Sequence, residues 1–247
     1  MPTGHLLSDR FYRPSGSTLS HVPSDPLDDL AFRGAVGDVL AVLAYGEISA
    51  FSRLATDADL APTLAGREQL ARLAMTAFGN YDLLAGRLRE LGVDPEDAVA
   101  PYVASFAAYH ERTRPSNWLE GIVKAYVGDG IATDFFREIA AYVDPTSRAV
   151  ILRALDDQVR SDQLLDIARV ALIADPVVSG RLALWGRRLM GEALSQAQRV
   201  AAERASLASL LSGRFGGPGF DLAQLGEMFQ RLAERHTDRM ARLGLSA

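Results

Sequence analysis

Long stretches rich in alanine, leucine and arginine, separated by short breaks, make up the 247-residue chain from about residue 28 onward. The breaks carry glycine or an Asp-Pro pair, as at Asp94-Pro95, which is the usual punctuation between helices. No two alternating segments joined by a hairpin turn are present. The pattern predicts an all-α fold. The expected helices cover about residues 28–55, 62–91, 96–112, 114–143, 146–174 and 175–211, with a last one at 221–243.

Two helical hairpins joined by a crossover helix describe a four-helix bundle with additional C-terminal helices. We divide the chain into a flexible N-terminal arm (1–26), a helical bundle (27–212), a glycine-rich linker (213–220) and an amphipathic C-terminal helix (221–247). Asp221 is placed to cap this last helix, whose apolar residues recur at helical spacing. We expect it to dock on its own bundle or to form a dimer contact, and binding of a separate partner is the alternative.

Composition excludes several kinds of site. The chain has no cysteine, which excludes disulfides, thiolate zinc sites, iron–sulfur clusters and cysteine nucleophiles. Lys124 is the single lysine, so a Schiff base or a phosphate-loop lysine would have to use it, and neither is expected in its sequence context. The four histidines lie in the arm, at the end of the crossover helix and beyond the linker, so none is expected in the core as a catalytic base. They are His5, His21, His110 and His236.

Charge and hydropathy limit the partners and the cellular location that we expect for the protein. The net charge of −5 argues against a general nucleic-acid binder. No apolar run reaches the roughly eighteen residues that a membrane-spanning helix needs, and the N-terminus does not resemble a signal peptide. We therefore expect a cytoplasmic protein without membrane contact.

Acidic residues interrupt the apolar stripes of three predicted helices. Glu47, Asp129 and Asp157 lie on the stripes of the first, third and fourth long helices, and Arg160 follows Asp157 by one turn. Residues equidistant from the turn of a hairpin lie at equal height, which brings Glu47 level with residue 77 and Asp129 level with Asp157. We expect these groups to converge in one bundle centre, where like charges need a cation or protonation. The alternative for each is a register error or an outward-pointing side chain.

Two glycines flank Asp129 in the middle of a predicted helix. Gly128 and Gly130 each cost about 1 kcal/mol relative to alanine at such positions. Close helix packing or a kink explains them as well as a distorted turn that directs a carbonyl or carboxylate toward the centre. Both interpretations stay open from the sequence.

Three segments carry a resemblance to a known family. They are LAYGEISAF around Glu47, WLEGIVKAYVGDGIATDFFREIA around Asp129, and RLALWGRRLMGEALSQAQRVAAER in the fifth helix. Over about residues 30–210 the chain resembles the ferritin-like superfamily, in particular actinobacterial proteins similar to the tRNA hydroxylases that act on 2-methylthio-isopentenyl-adenosine. The resemblance implies a helical bundle around two irons bridged by carboxylates. It also implies a Glu on helix one, Glu-x-x-His on helix two, an acid on helix three, and acid-x-x-His on helix four.

This chain departs from that pattern at both histidines and one acid. Ala77 and Asn80 stand at the helix-two pair, and Arg160 stands at the helix-four histidine. The resemblance thus implies a vestigial centre, in which we expect no metal, no other cofactor and no catalytic residue. The full set is Glu47, Ala77, Asn80, Asp129, Asp157 and Arg160. We expect the Arg160 guanidinium to neutralise the acids that once held metal, unless it lies off the buried face and pairs outside with Asp156 or Asp157.

These expectations favour a non-catalytic binding or assembly scaffold over an enzyme. The alternative is an oxygen-dependent hydroxylase of modified tRNA that uses one or two irons. A tRNA partner would need a basic surface, which arginines of the fifth helix offer, although a solvated helix face or a dimer seam explains them equally well. They are Arg181, Arg187, Arg188, Arg199 and Arg204. The resemblance also implies a homodimer.

Overall fold

A computed structural model describes residues 25–156, 158–174, 176–215 and 221–247. These residues form helices with no strand among them, which confirms the all-α prediction. The α-helices are α1 (Leu30–Ala58), α2 (Leu64–Glu90), α3 (Pro95–Val99), α4 (Val103–Arg112), α5 (Trp118–Ile139), α6 (Pro145–Ala154), α7 (Gln158–Ala174), α8 (Pro176–Glu203), α9 (Ala205–Leu211) and α10 (Leu222–Arg242). Short 3-10 turns follow α3 and α5.

Helix starts lie close to the predicted breaks because polar side chains cap them. Asp94, Asp144 and Asp221 each accept hydrogen bonds from backbone N–H groups in the first turn of the helix that follows. Thr63 caps α2, which therefore begins just after the proline predicted to start it. Asn117 caps α5 in the same way, so α5 begins a few residues later than predicted.

The predicted helix over 146–174 is interrupted, and the prediction of one continuous helix is wrong. α6 ends at Ala154, and Leu155 and Asp156, which follow it, are not helical. Arg137 of α5 donates a hydrogen bond from Nη2 to the carbonyl oxygen of Leu155 at 3.1 Å, so a tertiary contact satisfies a carbonyl at the end of α6. The expected equal height of Asp129 and Asp157 assumed an unbroken helix, and because Asp157 lies outside the described residues it stays a prediction.

The predicted helix over 175–211 is likewise divided, into α8 and α9. Arg204 lies between them with an extended backbone, and its guanidinium lies 4.8 Å from the ring centre of Tyr102. The Tyr102 hydroxyl donates a hydrogen bond to Asp38 of α1 at 2.8 Å, and Ser206 donates to the other carboxylate oxygen. These contacts turn the chain and hold α9 against α1.

α1 is long and apolar enough to cross a membrane by length and composition, contrary to the expectation from the sequence. Most of its most apolar stretch is buried inside the protein. Val36, Leu40 and Leu54, on the predicted stripe, are buried, and α2 packs along the helix as an antiparallel hairpin. A buried core helix passes the same test of length and composition, so this feature is weak support for a membrane span.

The C-terminal helix α10 packs on its own bundle, against α5 and α8. Leu232 and Met240 are buried in the core that α5, α7 and α8 share. Ion pairs flank this apolar contact, with Arg231 on Glu138 at 3.0 Å and Arg239 on Asp134 at 2.5 Å. The helix is thus fixed by both apolar burial and charge pairs.

Small residues permit the close approach of α10. A Cβ atom at Gly130 of α5 would overlap the guanidinium of Arg239, and one at Gly186 of α8 would overlap the end of the Met240 side chain. α5 is continuous through Gly128 and Gly130, so close packing rather than a distorted turn accounts for Gly130. A Cβ atom at Gly128 would meet only the Tyr109 hydroxyl, at an ordinary contact distance of 3.6 Å.

Candidate functional site

A cavity of about 460 Å³ lies between α1, α4, α5 and α8, and we call it the central cavity. Its walls are mostly apolar, and its volume falls in the range of sites that bind small organic molecules. The apolar wall includes Leu43, Leu54, Phe106, Ile131, Phe135 and Leu194. No described side chain of α2 or α7 lines it.

α4 closes one side of the central cavity. Arg112 at the end of α4 donates from Nε to Glu192 of α8 at 2.6 Å, and Arg188 of α8 donates to the Arg112 carbonyl oxygen. These contacts hold the crossover helix against α8. The aromatic side chains of α4 therefore face α1 and α5, where the Phe106 ring packs edge-on against Tyr45 at 5.1 Å.

Charged side chains from α1 and α5 enter this apolar cavity. α1 contributes Glu47, Arg53 and Asp57, and α5 contributes Lys124 and Asp129. The helical spacing puts Arg53 and Asp57 on one face of α1, since they are four residues apart. Three acids and two basic groups from α1 and α5 therefore share one site, while Glu111 and Arg114, which also line it, are exposed and pair with each other at 2.7 Å.

Burial and neighbouring charges oppose each other at these groups. Burial lowers the pKa of Arg53, and the carboxylates of Asp129 and Asp57 act against that decrease. Burial raises the pKa of Asp57, while the positive charges of Lys124 and Arg53 act to lower it. The acids and cations therefore stabilise one another's charged forms in a poorly solvated place.

Lys124 is the buried amine of the central cavity, with 8 % of its surface exposed. Its Nζ atom donates a hydrogen bond to the Thr113 carbonyl oxygen at 2.6 Å and lies 5.7 Å from the ring centre of Tyr109. Burial, followed by the positive charge of Arg53, lowers the pKa of Lys124 to about 8. A substantial neutral fraction of this amine exists at mildly alkaline pH.

His110 also lines the central cavity, which corrects the expectation that no histidine enters the core. Both of its ring nitrogens are buried, with no hydrogen-bond partner among the described residues. Burial, then the charges of Arg53 and Lys124, lower the pKa of His110 to about 2, so the imidazole is neutral. His236 is buried as well, but it lies on α10 and does not line the central cavity. His110 enters the cavity because the packing of the helices turns the end of α4 inward.

Gln196 of α8 adds a second neutral polar group to the central cavity. Both atoms of its amide are buried with no hydrogen-bond partner among the described residues. A smaller apolar cavity of about 100 Å³ shares Gln196 and Phe106 with the central cavity. A buried donor and acceptor without partners are costly unless a bound molecule satisfies them.

The structure brings together only part of the predicted site. Glu47 and Asp129 line the central cavity. Ala77 is fully buried and Asn80 is half-buried, and neither lines it. Asp157 lies outside the described residues, and Arg160 belongs to α7 but its side chain is not among those described. The position proposed for the Arg160 guanidinium therefore stays a prediction.

The described donors do not fit a pair of iron ions. Within residues 25–156, 158–174, 176–215 and 221–247, no three histidine, aspartate or glutamate side chains are grouped to hold a metal. Glu47 and Asp129 share the central cavity with Arg53 and Lys124, whose positive charges repel a divalent cation. Biological iron centres of this type also use histidine. The positions that the resemblance assigns to histidine carry Asn80 and Arg160 in this sequence.

Most of the arginines proposed as a basic face make contacts within the chain. Arg181 pairs with Glu120 at 3.5 Å, Arg187 donates to the carbonyl oxygen of Ser246, and Arg204 stacks on Tyr102, as described above. Contacts within the chain are thus one explanation of these arginines, and a tRNA contact stays a prediction.

Comparison of the sequence with models of known protein families finds a match. The model of a ferritin-like domain of actinomycetes matches residues 31–214, from α1 to the end of α9. No curated protein sequence matches the chain. The family match covers more than half of the chain and agrees with the helical architecture. The protein therefore belongs to the actinomycete family of ferritin-like domains.

Proposed function

We propose that this protein is a non-catalytic binding protein, in which the family's di-iron site is degenerate and the central cavity holds a small organic molecule. The observation that carries the proposal is the presence of Arg53 and Lys124 beside Glu47 and Asp129 in one apolar cavity. These internal cations offset much of the carboxylate charge, and burial raises the pKa of Asp57, the third acid of the site, so the acids do not depend on a metal for compensation.

The polar groups of the cavity suit an uncharged ligand. The neutral imidazole of His110 and the amide of Gln196 each offer one or more donors and acceptors without partners. Apolar walls surround them, and the internal charges already face one another. We therefore expect a largely apolar molecule with a few hydrogen-bonding atoms, a composition that buried sites of this size commonly bind.

Ligand binding is tested with prodan, a neutral naphthalene dye whose fluorescence rises in apolar surroundings. Wild-type protein should bind the dye at one site. Ala193→Phe fills the central cavity and should weaken binding at least about tenfold, since the ring occupies the site. Ala202→Phe, an exposed position on the same helix, is the matched control and should bind like wild type. Equal binding by both variants would place the dye elsewhere and refute the site.

The second candidate is an oxygen-dependent iron hydroxylase of modified tRNA, as the resemblance implies. Glu47 and Asp129 support it, because they stand at two of the family's acidic ligand positions and line one cavity. Metal analysis of protein produced in iron-supplemented medium separates the candidates. We expect far less than one iron per chain, whereas about two per chain would overturn the proposal in favour of the hydroxylase.

A further inference from the structure

We propose that Lys124 captures small apolar aldehydes in the central cavity as a reversible imine. This inference rests on the proposed binding function and names the ligand class. A buried amine in a binding cavity is the first requirement for such chemistry, and Lys124 meets it with its side chain in the cavity wall and little contact with solvent. This proposal reverses the expectation from the sequence that Lys124 forms no Schiff base, because its burial in a cavity depends on how the helices pack.

The surroundings of Lys124 favour a neutral, nucleophilic amine. An amine loses its proton more readily when it is desolvated in an apolar pocket or placed beside another cation, and both conditions hold here through burial and Arg53. Its hydrogen bond to the Thr113 carbonyl oxygen fixes the position of Nζ at the cavity wall. Apolar side chains then hold the body of the aldehyde beside it.

The reaction balances without an oxidant or reductant. The lone pair of Lys124 Nζ attacks the carbonyl carbon, and the carbonyl oxygen takes up a proton to give a carbinolamine. Loss of that oxygen as water then forms the carbon–nitrogen double bond, and protonation of nitrogen gives an iminium. The iminium carries the same positive charge as the original ammonium, so Asp57 and Asp129 stabilise it in the same way.

Neighbouring groups assist the proton movements. Asp57 interacts electrostatically with Lys124, and burial raises its pKa, which suits a carboxyl group that gives and takes a proton. His110 is neutral, and its N–H group can donate a hydrogen bond to the oxygen of the bound aldehyde. Both are positioning or proton-carrying groups, and Lys124 is the group that reacts.

The experiment traps the imine with sodium cyanoborohydride after incubation of the folded full chain with benzaldehyde. Mass spectrometry should show one reduced benzyl group, and peptide mapping should locate it at residue 124. The α-amine of the chain terminus is the competing amine, and mapping separates the two sites. Near neutral pH, folded protein should be labelled at Lys124 at least about tenfold faster than protein unfolded in urea, whose lysine has an ordinary pKa.

Labelling should increase with pH around a midpoint near 8, the pKa of the folded amine. The titratable or charged groups that face Lys124 are Arg53 and Asp57 from α1, Tyr109 and His110 from α4, and Asp129 from α5. Burial and Asp129 raise the pKa of Tyr109 to about 12, and His110 is neutral throughout this range, so neither titrates near pH 8.

Lys124→Arg keeps the positive charge but has no nucleophilic amine, and Lys124→Met provides a second variant if arginine does not fit. Each should retain a cooperative thermal transition and lose the adduct at residue 124. Ala193→Phe should slow labelling of Lys124 at least about tenfold, since access is through the cavity. A folded wild-type protein without an adduct at residue 124, or labelling that Ala193→Phe leaves unchanged, refutes aldehyde capture. Prodan binding that persists in Lys124→Met would leave the binding function intact in that case.

Discussion

Substitution of one glycine in α8 tests the packing of the C-terminal helix. Gly186→Ala places a methyl group where the end of the Met240 side chain lies, and Met240 is fully buried. Gly191→Ala is the matched control, because it lies on the same helix with open space around its Cβ position. Both changes replace glycine by alanine inside a helix, which by itself stabilises by about 1 kcal/mol.

The gain in helix propensity is common to the two variants. The difference between their free energies of unfolding therefore measures the effect of packing against Met240 alone. Overpacking of a filled core costs about 1–3 kcal/mol. We therefore expect Gly191→Ala to raise the free energy of unfolding and Gly186→Ala to fall below it by about 1 kcal/mol, the lower end of that range, because the displaced atoms are the flexible end of the Met240 side chain. Urea denaturation followed by circular dichroism measures both values.

A double variant shows whether Met240 causes the difference. In a Met240→Ala background the methyl group at position 186 meets no side chain, so Gly186→Ala should stabilise that background as Gly191→Ala does. The reasoning fails if Gly186→Ala stabilises the wild-type protein as much as Gly191→Ala does. It also fails if removal of the Met240 side chain leaves the penalty unchanged.

Three further predictions concern other buried polar groups. Arg87→Ala should destabilise by about 3–5 kcal/mol in urea denaturation, since it leaves the buried carboxylate that caps α6 without its ion pair, whereas exposed Arg89→Ala should change little. Tyr102→Phe should cost about 1.5–3 kcal/mol by the same assay, because Asp38 loses a hydrogen bond to a charged oxygen, and an unchanged midpoint would refute that bond. Because the pKa of Lys124 is lowered in the folded protein, the unfolded chain holds more protons than the folded one between pH 8 and 10. The free energy of unfolding of wild type should therefore rise by about 2 kcal/mol relative to that of Lys124→Met from pH 7.5 to 9.5. No relative rise would show that the pKa of this lysine is not perturbed.

Much of the helical fold is predictable because its signals are local. Aspartate before proline both caps a helix and excludes the preceding turn, so Asp94 and Asp144 mark real helix starts. The interruption near Leu155 has no proline or glycine nearby, and the contact with Arg137 comes from another helix. The periodicity of a single helix does not show this contact.

The candidate site is predictable only where one helix determines the direction of a side chain. Glu47 and Asp129 lie on apolar stripes, and periodicity alone places them inward. From the sequence pattern, Arg53 and Lys124 are expected to be ordinary solvent-exposed cations, and His110 is expected at the end of the crossover helix. Their convergence depends on how α1, α4 and α5 pack, which single-helix periodicity does not contain.

The central cavity draws its described walls from helices other than α2 and α7. Two of the helices that the resemblance expects to carry metal ligands therefore contribute no described side chain to the cavity wall. Substitutions on these helices should change the stability of the bundle more than they change which ligand binds. Substitutions that change which ligand fits would fall on α1, α4, α5 and α8, whose side chains form the walls. The ligand can therefore change through one face of α1 while the face of α1 that packs on α2 keeps its contacts.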